Sequence, residues 1–491
     1  MITHSDSFAA APTVSAAPQD SRASMPTPAP TSFDVAGKRA YLIGIGGCGM
    51  SGLARMLRGR GAIVMGSDKE RSAVTDALSA EGVSITFDQQ AGAIPEDCDL
   101  VIATAAAPPS HPELLAAQQR GIETHTYAEA LGLCMLGRTG IAVAGTHGKS
   151  TISAMLGVML IHAGLDPTVI VGATCAQLAS EPAATKRGQA SEPARVGFRL
   201  GAPKIPTGAM AGKPGLLVAE ACEYNRSFHN LHPTIAAITS VEADHLDIYG
   251  SLDKVVASFR DFASLIPSAK DGGWLLINHD GAHRREICAG LQCAVETIGF
   301  APAADWVVTY DARSRRVGLN RAGQHVANWI IKLPGAHMAI NSAFAAVIAL
   351  RLGADPKKIA EGLESFRGVD RRMQFLGEKR IVESAAPPVR VYDDYGHHPT
   401  EVDATLRALR ESERPEERGG RLICVFQPHQ HSRTRFLLDE FAQAFSPADI
   451  VIVPHIYFVR DSEVEKTKVS AADLVDRLRQ RGVQAMHLYP F

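Results

Sequence analysis

The 491-residue sequence lacks a charge imbalance, since 50 Lys and Arg residues face 52 Asp and Glu residues. Proteins that bind nucleic acid rely on a basic surface, which this composition does not indicate. The sequence also lacks an apolar run of membrane-spanning length, and its start lacks the basic and apolar regions of a signal peptide. We therefore expect no nucleic-acid partner and no membrane insertion.

Paired cysteines are absent too. The eight cysteines are scattered and form no C-x-x-C pair, which argues against a zinc knuckle and against a disulfide framework. A reducing cytoplasm is the simplest location. With neither nucleic acid nor membrane indicated, we expect small-molecule partners and a monomer or weak dimer.

The central motif of the sequence is a glycine-rich loop between an apolar strand and an apolar helix. The strand is predicted at residues 141–144, and Gly145, Thr146, His147, Gly148, Lys149, Ser150 and Thr151 follow it. Backbone N–H groups, the helix N-terminus and the Lys149 ammonium would favour phosphate, and the Ser150 hydroxyl could hold Mg²⁺. The full P-loop pattern fails because Val143 stands at its first glycine. The alternative is a tight turn with a solvated lysine.

A second glycine loop lies near the start of the chain. Gly44, Gly46 and Gly49 match the G-x-G-x-x-G pattern after a predicted strand at 38–43, and Asp68 lies 24 residues beyond Gly44. This is the fingerprint of a dinucleotide-binding unit, with the acidic residue placed for a ribose hydroxyl. Taken alone, the loop predicts a nicotinamide-dependent oxidoreductase.

Acidic residues and histidines follow two further predicted strands. Glu220 ends the strand at 215–219, and His245 follows the strand at 235–239. Since parallel strands end at one edge of a sheet, Glu220 and His245 could converge on Mg²⁺ held at Ser150. The alternative is that these residues cap the helices that follow.

Polar residues also cluster in the last third of the chain. His337 and Asn341 are four residues apart and share one face of a predicted helix. Dense polar clusters follow the predicted strands at 390–392 and 422–426, in residues 393–399 and 427–435. Such clusters are costly in a core and usual in active sites.

These patterns predict an α/β protein of three domains. Residues 1–33, rich in Ala, Pro, Ser and Thr, are expected to form a disordered tail. We expect a Rossmann-like domain at 34–137, a central P-loop ATPase domain with a parallel sheet at 138–368, and a Rossmann-like C-terminal domain at 369–491. Residues from about 180 to 213 read as a long loop that contains Arg199.

Seven motifs, at residues 44–50, 144–150, 220–224, 242–245, 334–337, 393–399 and 426–429, together resemble the Mur ligases of peptidoglycan synthesis. They are similar especially to the members that join L-alanine to UDP-N-acetylmuramate. The resemblance implies that ATP phosphorylates the muramoyl carboxylate and that the amine of L-alanine then displaces phosphate. It also implies ATP and Mg²⁺ as cofactors.

The resemblance further implies roles for individual residues. Lys149, Glu220 and His245 would be catalytic, with Ser150, Glu220 and His245 organising Mg²⁺. ATP would be held by residues 145–151 and by His337, Asn341 and Arg372. UDP-N-acetylmuramate would be bound by Gly44, Gly46, Gly47, Gly49, Met50, Asp68 and Arg199, and the amino acid by Tyr395, His397, His429 and Arg433.

The sequence departs from the family pattern at several places. Ser150 stands where Thr is frequent, Met338 replaces an Asn beside His337, and Gln430 replaces an Arg, so that one carboxylate contact is expected to be lost. The chain also stops before the family's usual last helix and strand, so the C-terminal sheet is expected to be shortened. One alternative within the superfamily remains, a ligase that attaches a ready-made peptide to UDP-N-acetylmuramate. Two further alternatives are a nicotinamide-dependent oxidoreductase and a regulatory ATP-binding protein without chemistry.

Overall fold

The computed structural model describes residues 32–179, 197–380, 388–459 and 461–489. The predicted tail up to residue 31 and the part of the predicted loop at 180–196 lie outside the described residues. No helix in the described ranges is long and apolar enough to cross a membrane. All eight cysteines are free thiols, as the absence of paired spacing predicted.

Five parallel strands form the first sheet, and helices connect them. The strands are β1 (Arg39–Ile43), β2 (Ile63–Ser67), β3 (Ser84–Thr86), β4 (Leu100–Ala103) and β5 (Glu123–Thr126), and the helices are α1 (Cys48–Gly59), α2 (Ala73–Ala80), α3 (Pro112–Gln119) and α4 (Tyr127–Met135). The spatial order is β3-β2-β1-β4-β5. Successive strands are therefore added on one side of β1 up to β3 and on its other side from β4 onward. The first glycine loop follows β1 at this switch point, where sheets of this kind bind nucleotides.

The second sheet contains ten strands. These are β6 (Thr139–Ala144), β7 (Thr168–Ile170), β8 (Phe198–Arg199), β9 (Leu216–Glu220), β10 (Ile235–Ile238), β11 (Trp274–Asn278), β12 (Ala294–Gly299), β13 (Trp306–Asp311), β14 (Arg316–Arg321) and β15 (Gln324–Ile330). Their order is β15-β14-β13-β12-β11-β10-β6-β9-β7-β8. The strands from β13 to β7 run parallel, whereas β14, β15 and β8 pair antiparallel at the edges.

Helices cover both faces of this sheet. They are α5 (Lys149–His162), α6 (Leu246–Tyr249), α7 (Leu252–Ser264), α8 (Arg284–Cys288), α9 (Ala336–Arg351) and α10 (Pro356–Ser365). On β6, Ile141 and Val143 belong to one hydrophobic core and Ala142 and Ala144 to the other, the alternation of a strand buried on both faces. The glycine loop after β6 therefore leaves the middle of the sheet at its carboxyl edge.

The antiparallel meander predicted near residues 305–333 is present as β13 to β15, but it is not separate. It extends the central sheet, because β13 pairs in parallel with β12, a strand that the sequence analysis did not predict. Only Ile298 and Gly299 of β12 are buried, and the four residues before them are partly buried or exposed, so no apolar run marked the strand.

The C-terminal residues form a hairpin and a small parallel sheet. The strands are β16 (Gln374–Lys379), β17 (Val389–Asp393), β18 (Ile423–Val425), β19 (Ile450–Val453) and β20 (Gln484–His487), and the helices are α11 (Pro399–Glu413), α12 (His431–Phe436), α13 (Leu438–Ala444), α14 (Glu463–Lys466) and α15 (Ala471–Gln480). In the described residues, β17 pairs antiparallel with β16 alone, while β18, β19 and β20 pair in parallel. The polar residues after β17 and β18 nevertheless meet beside the central sheet.

Candidate active site

The glycine loop after β6 has a backbone that only glycine accommodates at two positions. Gly145 has φ +135° and a Cβ there would lie 1.9 Å from the Thr239 hydroxyl, while Gly148 has φ +82° and a Cβ would lie 2.6 Å from Asn341 Oδ1. Asn341, which the sequence analysis assigned to ATP, thus packs directly against the loop. Gly148 is also the N-cap residue of α5, so the N–H groups of the first helical turn face the loop.

Two hydroxyl residues after β10 hold the loop, and the sequence analysis missed both. The Thr239 hydroxyl donates to the carbonyl of His147 at 2.5 Å. The N–H of Thr146 donates to the Ser240 carbonyl at 2.8 Å, and the N–H of His147 to the Ser240 hydroxyl at 3.1 Å. The sequence offered one signal for this role. Thr239 and Ser240 directly follow the strand β10, which pairs with the strand β6 that precedes the loop.

Lys149 is folded into its own loop and forms a buried ion pair. Its ammonium donates to the carbonyl of Gly145 at 2.6 Å and lies 2.9 Å from Glu223 Oε2. Burial by itself lowers the pKa of Lys149, but the Glu223 carboxylate outweighs it and raises the pKa overall. Lys149 is therefore fully charged at neutral pH. Glu223 was not among the predicted site residues, although it stands within the motif at 220–224.

The three predicted metal ligands stand in the first turn of α5, at the end of β9 and at the N-cap position of α6. Ser150 is buried in the first turn of α5, and Glu220 Oε2 accepts the N–H of Gly172 at 2.8 Å. His245 has φ +51°, and its ring lies 5.1 Å from that of Tyr224. Burial lowers the pKa of His245 to about 4, against the opposing charge of Asp244, so its imidazole is neutral and can donate a lone pair. A hydroxyl, a carboxylate and a neutral imidazole are a suitable donor set for a divalent cation.

His147 lies between two carboxylates that belong to different parts of the chain. Its Nε2 is 3.4 Å from Glu242 Oε2, and its Nδ1 is 3.4 Å from Glu401 Oε1 on α11. Burial lowers the pKa of His147, but the two carboxylates prevail and raise it to about 9. The loop is thus linked electrostatically to the C-terminal residues.

Residues after β17 form a second polar group around Tyr395. Arg372 lies 5.3 Å from the Tyr395 ring and 3.3 Å from Glu401. The ring of His397 is 5.0 Å from that of Tyr395 and 6.4 Å from that of His429. The structure therefore brings together three of the four predicted amino-acid ligands, with Arg372 beside them.

Arg433, the fourth of these residues, is held in a buried ion pair. Its Nε and Nη2 both lie 3.0 Å from Asp244 Oδ1, on the loop after β10. Both side chains are less than a tenth exposed. Burial raises the pKa of the Asp244 carboxyl, but the Arg433 guanidinium outweighs it and holds that pKa below its usual range. Gln430 lines a small cavity with Asp244, Asp247 and Arg433.

The first glycine loop is tightly packed around its predicted ligand residues. The N–H of Gly46 donates to Asp68 Oδ2 at 2.7 Å. A Cβ at Gly44 would lie 2.7 Å from Thr104 Cγ2, and one at Gly49 would lie 2.7 Å from the Tyr127 hydroxyl. Asp68 therefore supports the loop backbone directly, a role that the spacing pattern did not predict.

The remaining predicted residues of this loop differ in accessibility. Gly47 caps α1 in an extended conformation, whereas the Met50 side chain is buried in the core beneath the loop. Arg199 lies on β8, at the edge of the central sheet, where its Nη2 donates to Asp166 at 2.9 Å. Among the described residues, no hydrogen bond or ion pair joins Arg199 to Gly44, Gly46 or Asp68. Its neighbour on β8, Phe198, nevertheless lies beside Gly52 of α1, the helix that follows this loop.

His337 lines an open cleft between α9 and α11. The cleft has a volume of about 640 Å³, and Asp403, Arg407 and Glu411 line its other side. Burial lowers the pKa of His337 to about 4. His337 and Asn341 share a helix, but Asn341 faces the glycine loop while His337 faces the cleft.

Comparison with known proteins identifies three family models in succession along the chain. Residues 39–139 match the model "Mur ligase family, catalytic domain", residues 143–349 match "Mur ligase middle domain", and residues 371–490 match "Mur ligase, glutamate ligase domain".

Individual relatives agree with these models. A protein named UDP-N-acetylmuramate–L-alanine ligase from Agathobacter rectalis is 35% identical over 455 residues, which cover 92% of this chain and 89% of that protein. One of the same name from Kineococcus radiotolerans is 37% identical over 448 residues, covering 89% and 86%. The crystal structure of the UDP-N-acetylmuramate–alanine ligase of Thermotoga maritima shares the fold, with a TM-score of 0.68 at 24% identity over 92% of this chain and 90% of that one.

Proposed function

The chain belongs to the Mur ligase family, and we propose that it is an ATP-dependent UDP-N-acetylmuramate–L-alanine ligase. The reaction would take place in the cytoplasm, during synthesis of peptidoglycan precursors. Residues 34–137 would bind the UDP-sugar, residues 138–368 would bind ATP, and residues 369–491 would bind the amino acid.

The observation that carries this proposal is the phosphate loop and its surroundings. A charged lysine, two glycines with positive φ and the start of a buried helix converge at the carboxyl edge of the parallel strands. Carboxylates and a neutral histidine from neighbouring strand ends flank them. This combination supports phosphoryl transfer, because it concentrates positive charge and N–H donors around a phosphate group.

In the proposed reaction, a carboxylate oxygen of UDP-N-acetylmuramate attacks the γ-phosphorus of ATP, which gives an acyl phosphate and ADP. The amine of L-alanine then attacks the acyl carbon, an amide forms, and inorganic phosphate and a proton leave. Lys149 would leave Glu223 to stabilise the charge on the transferring phosphoryl group. Mg²⁺ held by Ser150, Glu220 and His245 would supply further charge neutralisation.

The cleft between α9 and α11 is a suitable position for the adenosine part of ATP. His337 lines it, and Asn341 on the same helix borders the phosphate loop. Tyr395, His397 and His429 lie together on the C-terminal side, with Arg372 near them. We assign these residues to the side from which L-alanine enters.

The direct test is phosphate release by the purified chain with ATP, Mg²⁺ and UDP-N-acetylmuramate. Release should depend on L-alanine and on the UDP-sugar together. Addition of L-alanyl peptides in place of alanine separates this reaction from the peptide-attaching alternative. Release without either acceptor, or none with alanine, would contradict the proposal.

Binding at the first glycine loop separates the UDP-sugar from a nicotinamide cofactor. Calorimetry should give saturable binding of UDP-N-acetylmuramate and none of NAD or NADP. The phosphate loop with its charged Lys149 supports this expectation, because a hydride-transferring enzyme has no need of a second phosphate site. Saturable micromolar binding of NAD without a response to the UDP-sugar would instead support the oxidoreductase interpretation of this loop.

The variant Gly46→Val is expected to abolish binding of the UDP-sugar while ATP still binds. A Cβ at Gly46 would lie 2.8 Å from both Asp68 Oδ2 and Thr75 Cγ2, so the loop must move. Gly92→Val is the matched control, because a Cβ at Gly92 meets no atom within 4 Å. Equal affinities of the two variants would show that the loop does not bind the UDP-sugar.

The variant Gln430→Arg is expected to lower the KM for alanine with little change in the KM for ATP. An added guanidinium could form a charge-assisted contact to the substrate carboxylate. Gln430→Met, of similar length and without charge, controls for the change in shape. If Gln430→Arg leaves the KM for alanine unchanged, another group already carries the contact, or Asp244 and Asp247 beside it neutralise the new charge.

A further inference from the structure

Three residues of ligating type meet outside the predicted Mg²⁺ site. His147 comes from the phosphate loop, Glu242 from the loop after β10, and His398 from the N-cap position of α11. One nitrogen or oxygen atom of each lies within 4.8 Å of the other two. The three segments are distant in sequence, so the fold itself assembles this group.

The distances within the group approach those of a metal site. His147 Nε2 lies 3.4 Å and His398 Nδ1 lies 3.8 Å from the same oxygen, Glu242 Oε2. In a tetrahedral zinc site with bonds of about 2.0–2.2 Å, ligand atoms are roughly 3.3–3.6 Å apart. The distances from Glu242 to the two histidine nitrogens therefore need almost no adjustment for zinc binding. The two imidazole rings must still approach each other.

Each of the three ligands also has a partner of its own. His147 Nδ1, the nitrogen that faces away from Glu242, lies 3.4 Å from Glu401 Oε1. His398 Nε2 lies 3.4 Å from the carbonyl oxygen of Ala243. The Thr400 hydroxyl donates to Glu242 Oε2 at 2.6 Å. Histidines that bind metals almost always direct their second nitrogen to a carboxylate or a carbonyl, because this fixes the ring and the tautomer.

We propose that His147, Glu242 and His398 bind a divalent transition-metal ion, such as Zn²⁺, between the phosphate loop and α11. Two imidazoles and one carboxylate match zinc and related ions, which take nitrogen ligands more readily than Mg²⁺ does. The side chain of His398 is 6% exposed, that of His147 18% and that of Glu242 34%, so water reaches the site from the Glu242 side. The ion would join the loop to the first turn of α11.

Without an ion, the same ligands take part in hydrogen bonds and ion pairs. His147 lies between Glu242 and Glu401, Arg372 faces Glu401, and the Thr400 N–H donates to His398 Nδ1 at 3.3 Å. Binding of the ion must therefore replace the long hydrogen bond at His398 Nδ1.

The experiment is a calorimetric titration of the chelator-treated full-length chain with Zn²⁺. The wild type should bind with a dissociation constant of micromolar or below. His398→Ala and Glu242→Gln should weaken this binding at least tenfold. His125→Ala is the matched control, since His125 also pairs with a carboxylate, Glu123 at 2.9 Å, but lies on β5.

The titration is repeated with Co²⁺ to test whether cysteines bind the ion instead, because the absorption of Co²⁺ distinguishes thiolate from imidazole ligands. Circular dichroism and ATP binding establish that each variant is folded. If His398→Ala does not fold, Glu401→Gln, which removes the charge opposite His147 Nδ1, should weaken binding roughly 10–100-fold. Unchanged affinity in the folded variants, thiolate absorption, or no binding by the wild type would overturn the proposal.

Discussion

Replacement of Lys149 by alanine is expected to lower the rate of phosphate release by roughly 10²–10³-fold, the usual loss when one charge-stabilising group is removed. The ammonium lies within the loop that would hold the phosphates and is charged at neutral pH. Steady-state release of phosphate measures the effect. Lys270→Ala, at an exposed position, is the control for the loss of a positive charge. Near-normal release by a folded Lys149→Ala variant would refute the assignment.

The structure changes what the same substitution is expected to do to stability. From the sequence, a loop lysine is expected to contribute little to the fold. In the structure, Lys149 neutralises Glu223, whose side chain is only 4% exposed, so Lys149→Ala leaves a buried carboxylate without its partner. The variant should unfold at lower denaturant concentration. Adding Glu223→Gln should recover that stability without recovering turnover, which separates the two roles of Lys149.

Sequence reasoning succeeded where local pattern determines local structure. The predicted strand at 141–144, its glycine loop and the helix after it are present as β6 and α5, and the strands predicted at 38–43 and 235–239 are present as β1 and β10. Apolar runs bounded by glycine signal such elements without any tertiary information. The three-domain α/β architecture followed from the order of these elements.

Sequence reasoning failed where the partner lies far along the chain. Nothing local distinguishes Glu223 from Glu220, yet only Glu223 pairs with Lys149. Glu401 on α11 lies beside His147 only because the C-terminal elements pack against the central sheet, and no local pattern predicts this contact. Arg433 is a further case, because the family resemblance implies an amino-acid ligand there, whereas its buried partner Asp244 is 189 residues away along the chain.

Replacement of Arg433 by methionine is expected to cost about 3–5 kcal/mol in stability, because it leaves a buried carboxylate unpaired. Methionine keeps much of the side-chain volume, so the loss reports on charge more than on packing. Denaturant unfolding measures the total effect, and hydrogen exchange should show increased opening in α12 and in the loop after β10. Arg407→Met is the control, since Arg407 forms an exposed pair with Asp403, of a kind that is worth about 0.3–0.5 kcal/mol.

The double variant Arg433→Met/Asp244→Asn tests whether Arg433 also binds substrate. An asparagine carries no charge, so the double variant should regain most of the stability that Arg433→Met loses. If Arg433 serves only the ion pair, the KM for alanine should then return close to the wild-type value. If Arg433 also faces the amino acid, that KM should stay high while stability recovers. An Arg433→Met variant no less stable than Arg407→Met would show that the ion pair with Asp244 contributes little to joining α12 to the central sheet.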